Sequence, residues 1–214
     1  MNKENMLTVT NEDNMELMAR YPDNYFDLAI VDPPYGIENL TGKESANGRG
    51  KIHSKRLLGK TSNKFREWDK APTKEYFKEL FRVSKNQIIW GGNYFELPIY
   101  RCPIVWDKCQ PWETFSKTEL AWSSFNMPSS LFKFDNRTGG KIHPTQKPVA
   151  LYKWLLDKYA KENDKILDTH LGSGSIAIAC HDYKFDLTAC ELDKEYFDKA
   201  MQRINNHTAQ QKLF

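Results

Sequence analysis

The sequence predicts an α/β protein, in which the strands of an open sheet alternate with amphipathic helices, and two stretches carry this prediction. In the first, residues 28–32 form an apolar run of strand length that stops at Pro33 and Pro34, because proline cannot donate to a sheet ladder. In the second, a strand at 165–168 runs through a Gly-x-Gly turn at 172–174 into a helix. Ligands of such sheets bind beyond the carboxyl ends of the strands, so both strand ends are candidate sites.

The composition indicates a single intracellular domain. The 214 residues are 40% hydrophobic and 28% charged, which supplies enough apolar material for one core. The first residues are polar and no apolar run approaches spanning length, so we expect neither a signal peptide nor a membrane anchor, and a cytoplasmic location. The cysteines lack CxxC spacing and a nearby histidine, which predicts reduced, mostly buried thiols and no metal site. They are Cys102, Cys109, Cys180 and Cys190.

The first half of the chain alternates between strands and helices. A weakly alternating strand at 6–10 is followed by cap-type residues at 11–14, which open a helix. A second helix is expected at 73–84, because its aromatic and leucine residues fall on one face. The buried strand 87–90 follows and ends in a glycine-containing loop at 91–93, whose backbone is conformationally permissive.

The second half is expected to complete the sheet. Residues 102–106 and 119–124 read as two strands, which we place as an antiparallel pair at the sheet edge. Their tryptophans, Trp106 and Trp122, are expected in the core rather than in a ligand pocket. The remaining elements are an amphipathic helix through 151–159, the helix 176–181, a strand at 187–193 and a closing helix at 194–204.

Positive charge is concentrated in one segment. The net charge is +3, but residues 41–66 hold eight basic residues against the single acid Glu44, so this segment carries +7 and the rest of the chain −4. A long basic loop inside a compact domain is usually functional, and it suits a phosphate backbone; the alternative is a solvated surface loop. The candidate contacts are Lys43, Arg49, Lys51, Lys55, Arg56 and Lys60.

The strand end at Asp32 suits the chemistry of an amine. The carboxylate of Asp32 and the carbonyl of Pro33 are two acceptors for the two protons of an amino group, and Tyr35 offers a flat face for a base. The tetrapeptide of residues 32–35 resembles the catalytic motif of S-adenosylmethionine-dependent amino methyltransferases, in the Asp form typical of adenine-N6 DNA enzymes. The resemblance implies that Asp32, Pro33, Pro34 and Tyr35 form the catalytic site.

The resemblance extends to the cofactor half. The stretch 143–148 is similar to the segment that lines the methionine end of the cofactor, and the turn at 172–174 resembles the cofactor loop, although Thr169 and His170 stand where Pro and Phe are usual. An acid about twenty residues after that turn would hold the ribose hydroxyls, a role we assign to Glu191. The implied cofactor site comprises Asp13, Lys147, Asp168, Leu171, Gly172, Ser173, Gly174, Ser175, Glu191 and Asp193. For Asp13, an ordinary helix cap is an equally open interpretation.

The order of the motifs, catalytic before cofactor-binding, resembles the beta-type permutation of these enzymes. The resemblance implies a Rossmann-like, seven-stranded methyltransferase sheet, S-adenosylmethionine as cofactor, and double-stranded DNA from which an adenine is flipped. Three alternatives stay open: a cytosine-N4 enzyme, which usually carries Ser before Pro-Pro-Tyr; an RNA or protein-amide methyltransferase, which more often carries Asn; and a catalytically silent DNA-binding protein of this fold.

The C-terminal residues carry a last pattern. We expect the polar run 205–209 to fray and residues 208–214 to form a flexible tail. The spacing of Gln210, Leu213 and Phe214 resembles the peptide by which bacterial DNA-processing proteins dock on the replicative sliding clamp. The alternative is that Leu213 and Phe214 fold back onto the domain.

Overall fold

The structure is a computed structural model that describes residues 5–36, 69–111, 116–135 and 146–210. The strands are β1 (Leu7–Thr10), β2 (Phe26–Val31), β3 (Ser84–Trp90), β4 (Ile104–Asp107), β5 (Thr118–Ser123), β6 (Ser130–Lys133), β7 (Lys165–Asp168) and β8 (Asp186–Cys190). The helices are α1 (Asn14–Ala19), α2 (Lys74–Val83), α3 (Val149–Tyr159), α4 (Ser175–Tyr183) and α5 (Lys194–Thr208), with a 3-10 turn at Gly92–Tyr94. This is the α/β class that the sequence predicts.

All eight strands join one sheet in the order β1-β8-β7-β2-β3-β5-β4-β6. The five strands from β1 to β3 in this order are parallel, and β5 is antiparallel to both of its neighbours. The two strands of the predicted motifs, β2 and β7, are direct neighbours, with Leu28 opposite Ile166. Their carboxyl ends therefore open onto the same edge of the sheet.

The apolar run of β2 is explained by helices on both sides of the sheet. Leu28 and Ile30 pack into the core on the side of α3, α4 and α5, whereas Ala29 and Val31 pack into the core beneath α1 and α2. All four side chains are at most 1% exposed. A strand covered on both faces needs apolar residues at successive positions, and each fully buried large side chain contributes about 1.5–3 kcal/mol.

The sheet edge differs from the expectation in its number of strands. The described sheet has eight strands rather than seven, because the short segment Ser130–Lys133 adds β6 in parallel beside β4. The antiparallel pair of β4 and β5 forms as expected, and β5 attaches it to β3. Trp106 and Trp122 are buried as predicted, at 1% and 5% exposure.

The closing helix is longer than the sequence suggests. The prediction that residues 205–209 fray is wrong, because α5 continues to Thr208. A tertiary contact holds its last turn: His207 lies 2.7 Å from the carboxylate of Asp182 on α4, which Lys153 on α3 also contacts at 2.6 Å. Leu213 and Phe214 lie outside the described residues, so docking of the tail on a clamp stays a prediction.

The thiols have the state that the sequence predicts. All four cysteines are free, and Cys102, Cys180 and Cys190 are buried while Cys109 is exposed. In the described ranges, no helix combines the length and apolarity needed to cross a bilayer.

Candidate functional site

The candidate site lies where β2, β7 and β8 end side by side. Asp32 follows the last residue of β2, Asp168 is the last residue of β7, and Glu191 follows the last residue of β8. Because β2, β7 and β8 are hydrogen-bonded neighbours, these three acids lie at adjacent strand ends, and we call the space beyond those ends the crevice. The negative charges of Asp32 and Glu191 both raise the pKa of Asp168. The structure thus brings the predicted catalytic strand end and the predicted cofactor loop together.

Asp32 is a partly exposed carboxylate with two partners. Its side chain is 14% exposed, the hydroxyl of Tyr35 donates a hydrogen bond to Oδ1 at 2.9 Å, and the ammonium of Lys147 forms an ion pair with Oδ2. Because prolines follow it, the backbone after Asp32 offers no N–H at the next two positions. The side chains of Tyr35 and Lys147 therefore hold the carboxylate, and not backbone N–H groups of the two residues that follow it.

Lys147 bridges two carboxylates in the interior. Its side chain is only 1% exposed, and besides Asp32 it contacts Oε2 of Glu119 at 3.2 Å. The other oxygen of Glu119 pairs with Lys108 at 2.5 Å. The ammonium of Lys147 also lies 5.1 Å from the ring centroid of Trp90, whose buried indole N–H has no hydrogen-bond partner in the described part of the chain.

Burial and pairing act against each other in these groups. Burial raises the pKa of Asp32, and Lys147 offsets part of that rise, whereas Glu119 adds to it. Burial lowers the pKa of Lys147, but the two carboxylates raise it by more, so the amine stays charged. For Glu119, the two lysines outweigh burial and lower the pKa of the carboxyl. The cluster is thus a chain of alternating charges: Asp32, Lys147, Glu119 and Lys108.

Tyr35 is fixed by an aromatic neighbour and by a glycine. Its ring stacks on Tyr94 with centroids 5.1 Å apart and planes inclined by 23°. A Cβ on Gly91 would lie 2.2 Å from the Tyr35 ring, and Gly91 also has φ +69, so the position requires glycine on both counts. A base that stacks on Tyr35 must take the other face of the ring or displace Tyr94, whose side chain is exposed.

The glycine turn is held by Glu191 and by Arg203. Glu191 accepts hydrogen bonds from the backbone N–H of Gly172 at 2.8 Å and of Asp193 at 3.0 Å. Arg203 on α5 donates to the carbonyl of Ser173 at 2.8 Å and to the hydroxyl of Ser175 at 2.9 Å. The turn is therefore an ordered cradle that presents backbone close to the crevice.

Asp168 is a buried acid whose carboxyl accepts a backbone hydrogen bond. It is 2% exposed, its Oδ1 accepts the backbone N–H of His170 at 2.9 Å, and no ion pair among the described residues includes it. Burial raises the pKa of Asp168 to about 8, with Asp32 and Glu191 contributing in the same direction. A cationic group placed beside Asp168 would be stabilised there, because it would restore the charge balance.

His170, which departs from the resemblance, belongs to a partly buried polar network. Its Nδ1 lies 2.9 Å from Oγ1 of Thr169, and its Nε2 lies 3.2 Å from the amide nitrogen of Asn14. Thr169 in turn lies 2.7 Å from the hydroxyl of Tyr76. Because the amide of Asn14 donates to Nε2, the ring proton sits on Nδ1. Burial lowers the pKa of His170 to about 3, so the ring is neutral.

The other predicted residues have varied environments. Asp13 caps α1 by accepting the N–H of Met15 at 2.7 Å, and Asp193 caps α5 by accepting the N–H of Glu195 at 2.9 Å, so both carboxylates have structural roles. Lys147, expected at the methionine end of the cofactor, lies against Asp32. Buried side chains in the cofactor loop belong to Leu171, Ser173 and Ser175. All candidate DNA-binding residues of the segment 41–66, and His143 to Thr145, lie outside the described residues.

Sequence reasoning missed four residues of the site. Glu119, Lys108, Tyr94 and Arg203 reach it from elements that are distant in sequence. The only local signal is an acid at the start of a strand, at Glu119. That strand runs antiparallel to β3, so its first residues lie at the edge where the parallel strands end.

Comparison with known proteins gives consistent matches. A family model described as DNA methylase matches residues 101–202. Type II methyltransferase M2.LlaDCHI of Lactococcus lactis subsp. cremoris is 25% identical over 95% of this chain and 90% of that protein. Type II methyltransferase M.HpaI of Haemophilus parainfluenzae is 31% identical over 83 residues, a match that spans 37% of this chain and 26% of that protein.

Solved structures share the fold. The cytosine-N4-specific PvuII DNA methyltransferase superposes with a TM-score of 0.61 at 14% identity, over 100% of this chain and 91% of that one. A complex of M1.HpyAVI with S-adenosylmethionine (SAM) gives a TM-score of 0.58 at 20% identity, over 94% and 100%. At these identities the likeness concerns architecture. The family model, over residues 101–202, and the relatives in sequence agree that this chain is similar to DNA methyltransferases.

Proposed function

We propose that this chain transfers a methyl group from S-adenosylmethionine to the N6 amine of an adenine flipped out of duplex DNA. The proposal rests on one observation: the acceptor carboxylate of Asp32 and the glycine turn at Gly172 lie at the same end of the sheet, on the same crevice. The name of the matching family model covers both kinds of base amine, N6 and N4. The choice of adenine rests on Asp32, because the cytosine form of the motif usually carries Ser.

The cradle fits the proposed cofactor. Glu191 is ordered by two backbone N–H groups, and an acid in that position suits two ribose hydroxyls. The carboxyl of Asp168, which has no ion pair among the described residues, suits the positive charge of S-adenosylmethionine. When bound, this cofactor supplies an electrophilic methyl group on a sulfonium. We therefore assign Gly172, Glu191 and Asp168 to its binding.

On the acceptor side, Asp32 would orient the amine. Its carboxylate would accept one N–H and the carbonyl of Pro33 the other, which favours the pyramidal amine that can attack. Lys147 and Tyr35 hold the carboxylate in place before the base arrives. Once the amine has been methylated it becomes acidic, and its proton can pass to Oδ1 or Oδ2 of Asp32. Orientation, rather than a strong base, is the main contribution of these residues.

The nucleic acid would be duplex DNA. Flipping a base costs a few kcal/mol, which stacking on Tyr35 and hydrogen bonds to the amine would repay. We assign the grip on the phosphates to the basic segment 41–66, because its charge of +7 opposes −4 on the rest of the chain. The motif order also suits the beta-type permutation, which we retain as part of the proposal.

The test is methyl transfer to DNA. The full chain is incubated with S-adenosylmethionine labelled in its methyl group and with a duplex pool of mixed sequence, and label on the DNA is counted. We expect label on duplex DNA, and less on RNA of the same sequence or on protein. Absence of label on every DNA pool, with the cofactor bound in calorimetry, would favour the silent DNA-binding protein and reject the proposal.

A further inference from the structure

One cluster of charges near the proposed acceptor is not used by the proposed function. Glu119 on β5 and Lys108 just after β4 continue the ion chain that begins at Asp32 and Lys147. The side chains of Glu119 and Lys108 are 23% and 24% exposed, so the chain leads from a fully buried lysine toward the surface. Ion pairs at that depth are costly unless each charge is compensated.

We propose that Glu119, with Lys108, is a positioning residue that controls the charge and the availability of Asp32 through Lys147. The proposal rests on the proposed function, since it takes Asp32 to be the acceptor of the base amine. It goes beyond the catalytic tetrapeptide, because neither Glu119 nor Lys108 belongs to a motif in the sequence.

The geometry gives Glu119 two effects. First, it provides Lys147 with a second anionic partner, 3.2 Å away. The ammonium can therefore loosen its hold on Asp32 when the base amine arrives without being left as a bare buried charge, which would be strongly unfavourable. Second, Glu119 places a negative charge on the far side of Lys147, so that the charge of Lys147 is shared between two carboxylates.

The groups around Asp32 define the sign of any pH effect. Tyr35 lies on its own segment, Lys147 on the lead into α3, and Glu119 on β5. The negative charge of Asp32 also raises the pKa of Asp168 at the end of β7 and of Tyr152 on α3. With all four charged groups of the ion chain ionised, its net charge is zero. Removing the charge of Glu119 or of Lys108 leaves a net charge that changes the pKa of Asp32.

Substitutions of Glu119 and Lys108 should therefore shift the pKa of Asp32 in opposite directions. Glu119→Gln removes a negative charge and leaves Lys147 to Asp32 alone, which lowers the pKa of Asp32. Lys108→Gln leaves Glu119 dependent on Lys147, which weakens the hold of Lys147 on Asp32 and raises the pKa of Asp32. A merely structural pair that joins β4 to β5 would change stability and would not shift these titrations in opposite directions.

The experiment measures kcat/KM for methyl transfer against pH in wild type, Glu119→Gln, Lys108→Gln and Glu119→Asp. We expect the acid limb to move to lower pH in Glu119→Gln, to higher pH in Lys108→Gln, and back toward wild type in Glu119→Asp. Glu96→Gln removes an exposed ion pair with Lys74 and serves as the control that should match wild type. Limbs that stay in place, or that move in the same direction, would overturn the proposal.

A second readout does not need turnover. Carbon-13 NMR of aspartate carboxyls, with Asp32→Asn to assign the signal, follows the titration of Asp32 directly in each variant. Opposite displacements of that titration support the proposal, and equal titrations reject it even if the enzyme is active. If the wild type transfers no methyl group to DNA while the carboxyl titrations move as expected, the proposed function fails and the coupling within the ion chain stands.

Discussion

Glu191 holds Gly172 by a hydrogen bond of 2.8 Å from the backbone N–H of the glycine to its carboxylate. The same carboxylate accepts the N–H of Asp193 at 3.0 Å, and burial raises its pKa while these donors offset part of the rise. One acidic side chain thus orders the glycine turn and presents its edge to the crevice. The side chain that we propose binds the ribose therefore also holds the glycine turn in place.

Glu191→Ala should weaken binding of S-adenosylmethionine by at least about tenfold, because hydrogen bonds to a charged group contribute about 1.5–3 kcal/mol each. Calorimetry measures the affinity. Asp198→Asn, which removes an exposed acid from α5, should bind like wild type. Equal affinity of wild type and Glu191→Ala would show that the cradle binds something else.

Asp32→Ala should reduce methyl transfer by at least about 100-fold, the loss typical of removing one positioned polar group from a reacting centre. Binding of S-adenosylmethionine should be nearly unchanged, because Glu191 and Gly172 remain. Asp27→Ala alters the other end of the same strand, where Asp27 pairs with Lys85, and should keep its activity. If the affinity for the cofactor falls together with the rate, the division between acceptor and cradle is incorrect.

Gly91→Ala should lower both activity and melting temperature. A methyl group at Gly91 meets the Tyr35 ring at 2.2 Å, and the positive φ adds roughly 1–2 kcal/mol of backbone strain. The ring must then leave its stack on Tyr94. Asn93→Ala, an exposed change in the same turn, is the control. A fully active Gly91→Ala protein would show that the position of Tyr35 is not important.

His170 should make the fold less stable in acid. Its pKa is about 3 in the folded chain against about 6.5 in an unfolded one, so between these values only the unfolded state takes up the proton. Stability therefore falls as pH decreases from 6.5 toward 3. Relative to His170→Gln, wild type should lose about 1.4 kcal/mol for each pH unit in that window.

Denaturant unfolding at several pH values checks this, with His207→Gln as the second histidine variant. His207 lies on α5 against Asp182 and is remote from the crevice. The difference between wild type and His170→Gln isolates the histidine from carboxylates that titrate in the same range. A difference that does not vary with pH would mean that the folded chain does not lower the pKa of His170.

Replacing Lys51, Lys55 and Arg56 by Ala should weaken DNA binding on all sequences and reduce its salt dependence, by about one unit of slope for each phosphate that the protein no longer neutralises. The control replaces Lys194 and Lys199, two exposed lysines of α5. Fluorescence anisotropy at several salt concentrations measures the slope. An unchanged slope would favour the alternative, in which the segment 41–66 is a solvated surface loop that does not bind DNA.

Local signals were sufficient for the two motif strands. Proline ends β2 directly after Asp32, and the glycine turn separates β7 from α4, so these boundaries depend on residues that are neighbours in sequence. The apolar run itself indicated that β2 is a buried strand. The α/β class and the meeting of the two strand ends could thus be predicted from the sequence.

Features that depend on distant contacts could not be predicted. The last turn of α5 is polar by composition and would fray alone. In the fold, His207 contacts Asp182 on the neighbouring helix α4 and stabilises this turn. The ion pair of Lys147 with Glu119 requires knowing that β5 lies between β3 and β4. β6 is a four-residue segment whose pairing partner lies some 26 residues earlier, at Ile104 opposite Ser130.

The measurement that tests the central claim most directly is mass spectrometry of nucleosides from duplex DNA treated with the full chain and S-adenosylmethionine. The proposed role of Asp32 predicts N6-methyladenine, absent when Asp32→Ala replaces wild type. N4-methylcytosine in its place would contradict the assignment of adenine while leaving the methyltransferase fold and crevice intact, and no methylated nucleoside at all would contradict the proposed activity.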